Sequence, residues 1–168
     1  VDKFDSVMDL MRHAMSVGTT PSVGHDFFED MEARFVRINR SPIPTGIDKI
    51  DAKDILNGGL GKGEIGVITA PTGVGKSHML VNLGCAAIRN GFNVIHYTFE
   101  LTETATGLRY DSNLCQIPSN QVPERKEEVI EYYKENGENL GKLMIKEYPT
   151  GTATVQTLRS HIEKLSLK

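Results

Sequence analysis

Ala70-Pro71-Thr72-Gly73-Val74-Gly75-Lys76-Ser77 decides how the rest of this chain is read. The apolar run before it, Ile65-Gly66-Val67-Ile68-Thr69, predicts a buried strand, and the segment after it, Met79 to Ile88, predicts a buried helix. A strand, a glycine-rich turn closing on Gly-Lys-Ser and a helix together read as a phosphate-binding loop. Gly73 and Gly75 let the backbone take turn geometry and come close to phosphate oxygens. Successive N–H groups then face inward and make a concave anion site. The positive end of the helix beginning near Lys76 adds to it. Lys76 is expected to reach the β- and γ-phosphates of ATP, and Ser77 to bind Mg²⁺. All eight residues, Ala70, Pro71, Thr72, Gly73, Val74, Gly75, Lys76 and Ser77, are candidate nucleotide contacts. Ala70 stands where the simple pattern has glycine, and a small residue fits there if its φ is negative. The rival reading, a turn that binds nothing, is opposed by the strand and helix that flank it.

The composition bounds the rest. At 168 residues there is room for one domain with a large core. With 39% apolar residues and no tryptophan, the chain reads as soluble and globular. A net charge of −3 carries no basic excess of the kind that marks a nucleic-acid surface, although a local basic groove remains compatible with it. Cys85 and Cys115 lie in apolar contexts without ligand spacing, which predicts buried free thiols in a reducing, cytoplasmic setting. No apolar run approaches membrane-spanning length and no signal peptide is visible. The first residue is Val1 and not methionine, so the expectation is a fragment of a longer polypeptide.

Along the chain, Phe4, Met8, Met11 and Met15 fall at helical spacing and predict an amphipathic helix. Residues 16–24 read as a loop. Asp26 is a plausible N-cap for a second helix carrying Phe27, Phe28, Met31 and Phe35. Core packing and docking onto a neighbouring subunit are both open for these two stripes. Ser41 to Gly46 reads as a linker-like turn, Ile47 to Leu56 as a short helical segment, and Asn57 to Glu64 as a flexible glycine-dense loop in which Lys62 and Glu64 are solvated. The helix after the phosphate loop ends at Arg89-Asn90-Gly91. Asn93 to Phe99 reads as a second strand, and strand, helix and strand at this spacing imply a right-handed parallel unit. Helices follow over Thr104 to Leu114 and Glu124 to Asn136, then a third strand over Leu143 to Tyr148 and a last helix over Val155 to Leu165. Arg109 and Asp111 read as a local ion pair.

Glu100 closes the second strand. Ligands of open parallel sheets lie beyond the carboxyl ends of strands. A carboxylate there can face the same site as Lys76 and polarise the water that attacks a γ-phosphate. The competing reading is a solvated carboxylate or a helix cap, a role for which Thr102 and Glu103 also compete. A working phosphate-loop ATPase needs a second acidic motif, an apolar strand ending in Asp. No such run follows the third strand: either it lies in further sequence, which is the favoured expectation, or this stretch cannot hydrolyse ATP efficiently.

Thr45-Gly46-Ile47…Asp51, Gly58-Gly59-Leu60, Ala70 to Ser77 and Tyr97-Thr98-Phe99-Glu100 together resemble the RecA-like ATPase core of ring-shaped replicative helicases of the DnaB type. Alanine opening the phosphate loop is familiar there. Leu108 to Leu114, Leu143 to Gly151 and Asp26 to Phe35 are similar to segments in the T4-like bacteriophage branch of that family. The resemblance spans about residues 25–168. It implies an α/β fold, a RecA-like P-loop NTPase core with a parallel sheet flanked by helices, truncated on its C-terminal side. Residues 1–40 would be a helical linker that docks on a neighbouring subunit, and residues 41–168 the N-terminal part of the ATPase domain. It further implies ATP and Mg²⁺ as cofactors, with catalytic roles for Lys76 and Glu100 and a metal role for Ser77. The implied assembly is a homo-oligomer, a hexameric ring moving on single-stranded DNA, with primase and other replisome proteins as partners and no membrane. A recombinase or regulatory ATPase of the RecA or KaiC kind, without unwinding activity, is the alternative.

Overall fold

The computed structural model describes residues 40–166 continuously and, before them, residues 7, 11, 24, 26–29 and 31–35. The chain divides into two units, Val1–Asn39 and Arg40–Lys168. In the first, Val7 and Met11 are helical and exposed, and the rest of the helix expected there lies outside the described residues. Asp26 caps as its sequence position suggests: Oδ1 accepts the N–H of Phe28 and of Glu29, each at 2.9 Å. The backbone then forms a turn over 27–29 and a 3₁₀ helix, Glu32–Phe35, in place of the expected α-helix. An aspartate that satisfies two N–H groups locally stabilises a turn whether or not a helix continues from it. Phe27, Phe28, Met31 and Phe35 are all exposed, Phe28 by 78%, so this stripe is not core.

The second unit opens on a loop held by two polar clamps. The Asp51 carboxylate accepts the Thr45 N–H at 3.0 Å, the Thr45 hydroxyl at 2.8 Å and the Gly46 N–H at 3.1 Å. Burial pushes the Asp51 pKa up, but these hydrogen bonds together outweigh it and hold the carboxyl below its ordinary value. Gly46, at φ +76°, presses against the Ala86 side chain, so a Cβ there would sit 2.8 Å from that of Ala86. The helix expected over Ile47 to Leu56 shrinks to α1 (Asp48–Asp51), because the backbone leaves helical geometry at Ala52, with φ −55° and ψ 152°.

The second clamp is Arg40. Its guanidinium donates to the carbonyls of Leu56, Asn57 and Gly59 and pairs with Glu64 at 2.6 Å. Glu64 also accepts the Gly61 N–H at 2.8 Å. The reading of Glu64 as merely solvated is therefore corrected. The glycine-dense loop is pinned from both sides, and Ile43 and Leu60 add an antiparallel bridge across it.

The expected buried strand Ile65 to Thr69 is also corrected. These residues carry no ladder, and Ile65 and Val67 are 88% and 82% exposed. Strand character belongs to a pair of chains, and an apolar run without a hydrogen-bonded neighbour among the described residues stays open backbone.

From Lys76 on, the sequence pattern and the structure agree closely. α2 (Lys76–Arg89) buries Val81, Gly84, Cys85 and Ile88, spaced three and four apart. It ends in a Schellman motif: Phe92 N–H reaches Ala87 O, Gly91 N–H reaches Ile88 O, each at 3.0 Å, and Gly91 takes φ +79°. β1 (Val94–Thr98) pairs in parallel with β2 (Leu143–Glu147), in register from Val94–Leu143 to Thr98–Glu147. α3 (Glu103–Leu114) and α4 (Lys126–Asn136) connect the two, and α5 (Val155–Ser166) follows β2. The observed parallel pair is thus β1–β2, and the strand–helix–strand unit expected around α2 lacks its first strand.

One core forms where Val81, Cys85 and Ile88 of α2 meet Tyr110 and Leu114 of α3, with Val94, Leu143 and Ile145 of the sheet packed on them. A smaller one joins Ile117, Val122 and Val129. Both cysteines are free thiols, and burial raises that of Cys85 to about 11.

Candidate functional site

The phosphate-loop candidate is built by two glycines and a helix start. Gly73 and Gly75 have φ of +81° and +104°, and a Cβ at either would meet nothing within 4 Å. Glycine is required there by conformation and not by crowding. Ala70 is not among the non-glycine residues with positive φ, which meets the condition for alanine at that place. Gly75 is the N-cap of α2 and offers no side-chain acceptor. The first α2 amide bonded back is that of Met79, to Gly75 O at 2.9 Å. The N–H groups of Lys76, Ser77 and His78 thus lack intrahelical acceptors and carry the positive end of the helix dipole. Lys76 Nζ folds over its own loop and donates to Ala70 O at 2.9 Å and Pro71 O at 3.0 Å.

Glu100 is placed by a turn. The Thr98 hydroxyl donates to Leu101 O at 3.0 Å and accepts the Leu101 N–H at 3.1 Å, which bends the chain just after β1 and leaves Glu100 exposed. The capping contest is decided elsewhere. Thr102 caps α3 by accepting the Ala105 N–H at 3.1 Å. Glu103 turns to β2, where it accepts from Lys146 Nζ at 2.9 Å and from Glu147 N–H at 3.1 Å. The Lys146 hydrogen bond, then that of the Glu147 amide, holds the Glu103 carboxyl below its ordinary value. Glu100 is therefore not the helix cap.

A cleft of about 400 Å³ brings these elements together. Gly66, Val67 and Ile68 form one wall, Lys76, Ser77, Leu80 and Val81 the next, and His96 to Leu101 the third. Thr106 and Arg109 of α3 complete it. Lys76, Ser77 and Glu100 thus share one cavity, while Ala70 to Gly75 lie outside its lining. Burial holds the His96 pKa below its ordinary value, and His96 Nδ1 lies 3.0 Å from Tyr110 Oη. On the other side of β1, Tyr97 Oη lies 2.9 Å from His161 Nδ1 of α5.

Two cleft residues escaped the sequence reading. Arg109 does not pair with Asp111, which accepts the Tyr133 hydroxyl at 2.7 Å instead. Residues two apart on a helix point to different faces, and that geometry was the available signal. Thr106 carried no motif at all. Among the described residues no group of three or more His, Cys, Asp or Glu is placed to hold a metal ion. Ser77 lines the cleft beside Lys76.

An open helix N-terminus and a strand-end carboxylate line one cleft in a mixed helix and strand unit with a two-stranded parallel sheet. The chain is 30% identical over 169 residues to the DnaB-like replicative helicase of Enterobacteria phage T4, an alignment covering 97% of this chain and 35% of that protein. The likeness read from the motifs is thereby borne out as homology along nearly the whole sequence. The chain spans about a third of that relative's length. No family model matches it. Among the described residues no helix is long and apolar enough to cross a membrane.

Proposed function

We propose that this chain is the nucleotide-binding part of a RecA-like P-loop motor in a replicative DNA helicase, using ATP hydrolysis to move on single-stranded DNA. The observation that carries this is the meeting of Lys76, Ser77 and Glu100 in one cleft. The phosphates of ATP would lie on the open N–H groups of α2. Lys76 bonds only neutral carbonyls, so an arriving phosphate, with full negative charge, displaces them and draws Nζ inward. Ser77 Oγ, phosphate oxygens and water would hold Mg²⁺, which neutralises charge on the phosphates. Glu100, free of capping duty and exposed beside the cleft, would accept a proton from the attacking water.

The homologue's name supports the helicase assignment, and the ring assembly, single-stranded DNA track and replisome partners that the sequence resemblance implies are parts of the same proposal. Binding of a fluorescent ATP analogue tests it at the root. Lys76→Ala should weaken binding at least tenfold, the scale of one lost charge-assisted contact. Binding that is absent in the parent chain, or unchanged in the variant, refutes the reading.

A further inference from the structure

α3 turns two side chains into the cleft that the nucleotide reading leaves unused. Thr106 is 1% exposed and its Oγ1 has no hydrogen-bond partner. An unsatisfied buried hydroxyl costs about 1–3 kcal/mol and stands out in a folded chain. Arg109, one turn later on the same helix face, is half-buried and forms no hydrogen bond or ion pair among the described residues. Both line the cavity shared by Lys76, Ser77 and Glu100. An orphaned donor and an unpaired guanidinium, side by side, face a space that already holds one lysine and one carboxylate.

We propose that Thr106 and Arg109 form a second anion contact, for the terminal phosphate of a bound nucleoside triphosphate. This rests on the nucleotide reading above and adds to it which phosphate is sensed and from which side. Lys76 and the α2 amides approach the phosphate chain from the loop. Thr106 and Arg109 of α3 line the same cleft as Glu100. The planar fork of an arginine matches two phosphate oxygens at once, which a lysine cannot do. The terminal phosphate carries the charge that distinguishes ATP from ADP, so this pair reports the state of the nucleotide to α3, the helix packed against α2 at Tyr110.

The test compares a fluorescent ATPγS with a fluorescent ADP on the full chain. Arg109→Ala should weaken ATPγS by roughly ten- to a hundredfold and leave ADP within about twofold. Arg109→Lys should recover only part of the loss. Thr106→Val keeps the shape, so it should raise the thermal midpoint of the nucleotide-free chain while weakening ATPγS by roughly three- to tenfold. Equal losses for the two nucleotides, or none, overturn the inference. Lys76→Ala separates the two levels. If it weakens both nucleotides while Arg109→Ala does not discriminate between them, only the α3 contact fails. If Lys76→Ala changes nothing, the site itself fails and the α3 contact with it.

Discussion

Replacing Gly84 by alanine should damage the joint between α2 and α3 with an effect that can be sized in advance. A Cβ at Gly84 would lie 2.1 Å from Tyr110 Oη and 2.9 Å from its Cε1 and Cζ. Carbon and oxygen in contact sit more than about 3 Å apart, so the ring or the helix must move by about 1 Å. Tyr110 is 1% exposed and packed with Val81, Cys85, Ile88 and Leu114, so any shift of its ring disturbs that cluster. Over-packing of this kind costs roughly 1–3 kcal/mol. Moving Oη also breaks its 3.0 Å contact with His96, at about 1 kcal/mol. Alanine recovers about 1 kcal/mol through helix propensity. The net is a loss of about 1–3 kcal/mol, read as a lower urea midpoint at unchanged slope. Tyr110→Phe removes the nearest atom, so the double variant should regain part of the loss, with the two changes non-additive. A Gly84→Ala chain as stable as the parent would refute the close-contact account of this joint.

Further outcomes can be checked separately. Glu100→Gln in the assembled protein should retain ATP binding while phosphate release slows by roughly 10²- to 10⁴-fold, and undiminished turnover would remove its proposed role. Burial lowers the His96 pKa, so the unfolded chain binds the proton more readily. The stability this group contributes is present above about pH 6.5 and is lost as pH falls through its lower folded value. Thermal midpoints measured from about pH 7.5 to 5 should therefore drop less in His96→Gln than in the parent. Arg40→Met removes the clamp on the glycine loop. Because its Glu64 pair is solvent-screened, the global loss should be small. Limited proteolysis should reveal new cleavage within 57–64, and unchanged protection there would show that the loop is held by other means.

The helices from Lys76 onward and the two paired strands were legible because their apolar spacing is local. Val81, Cys85 and Ile88 announce a buried face of α2, and Asn93 to Phe99 announces β1. Glu100 beside Lys76 was legible from the rule that parallel strands end at a ligand. The run at 65–69 misled because its residues favour a strand, while a strand also needs a partner. The Arg40–Glu64 pair bridges 24 residues, and no periodicity connects its ends. Tyr110, 1% exposed, sits in a helical segment where no apolar stripe singles it out. Arg109 was assigned to Asp111 by proximity in sequence, although Thr106 and Arg109, three apart, are the pair that shares a face.

The turn that carries Glu100 has a mechanical consequence. Tyr148 N–H bonds Thr98 O at 2.9 Å and the Thr150 hydroxyl bonds Phe99 O at 3.0 Å, just before it. Thr102 and Glu103 are tied down just after it. The short span between these anchors has little conformational freedom to lose when a ligand arrives. Lys76, by contrast, hangs on two neutral carbonyls at the end of a long stem. If a ligand enters as proposed, the Lys76 side chain is the part free to swing toward it, while the segment carrying Glu100 is already tied at both ends.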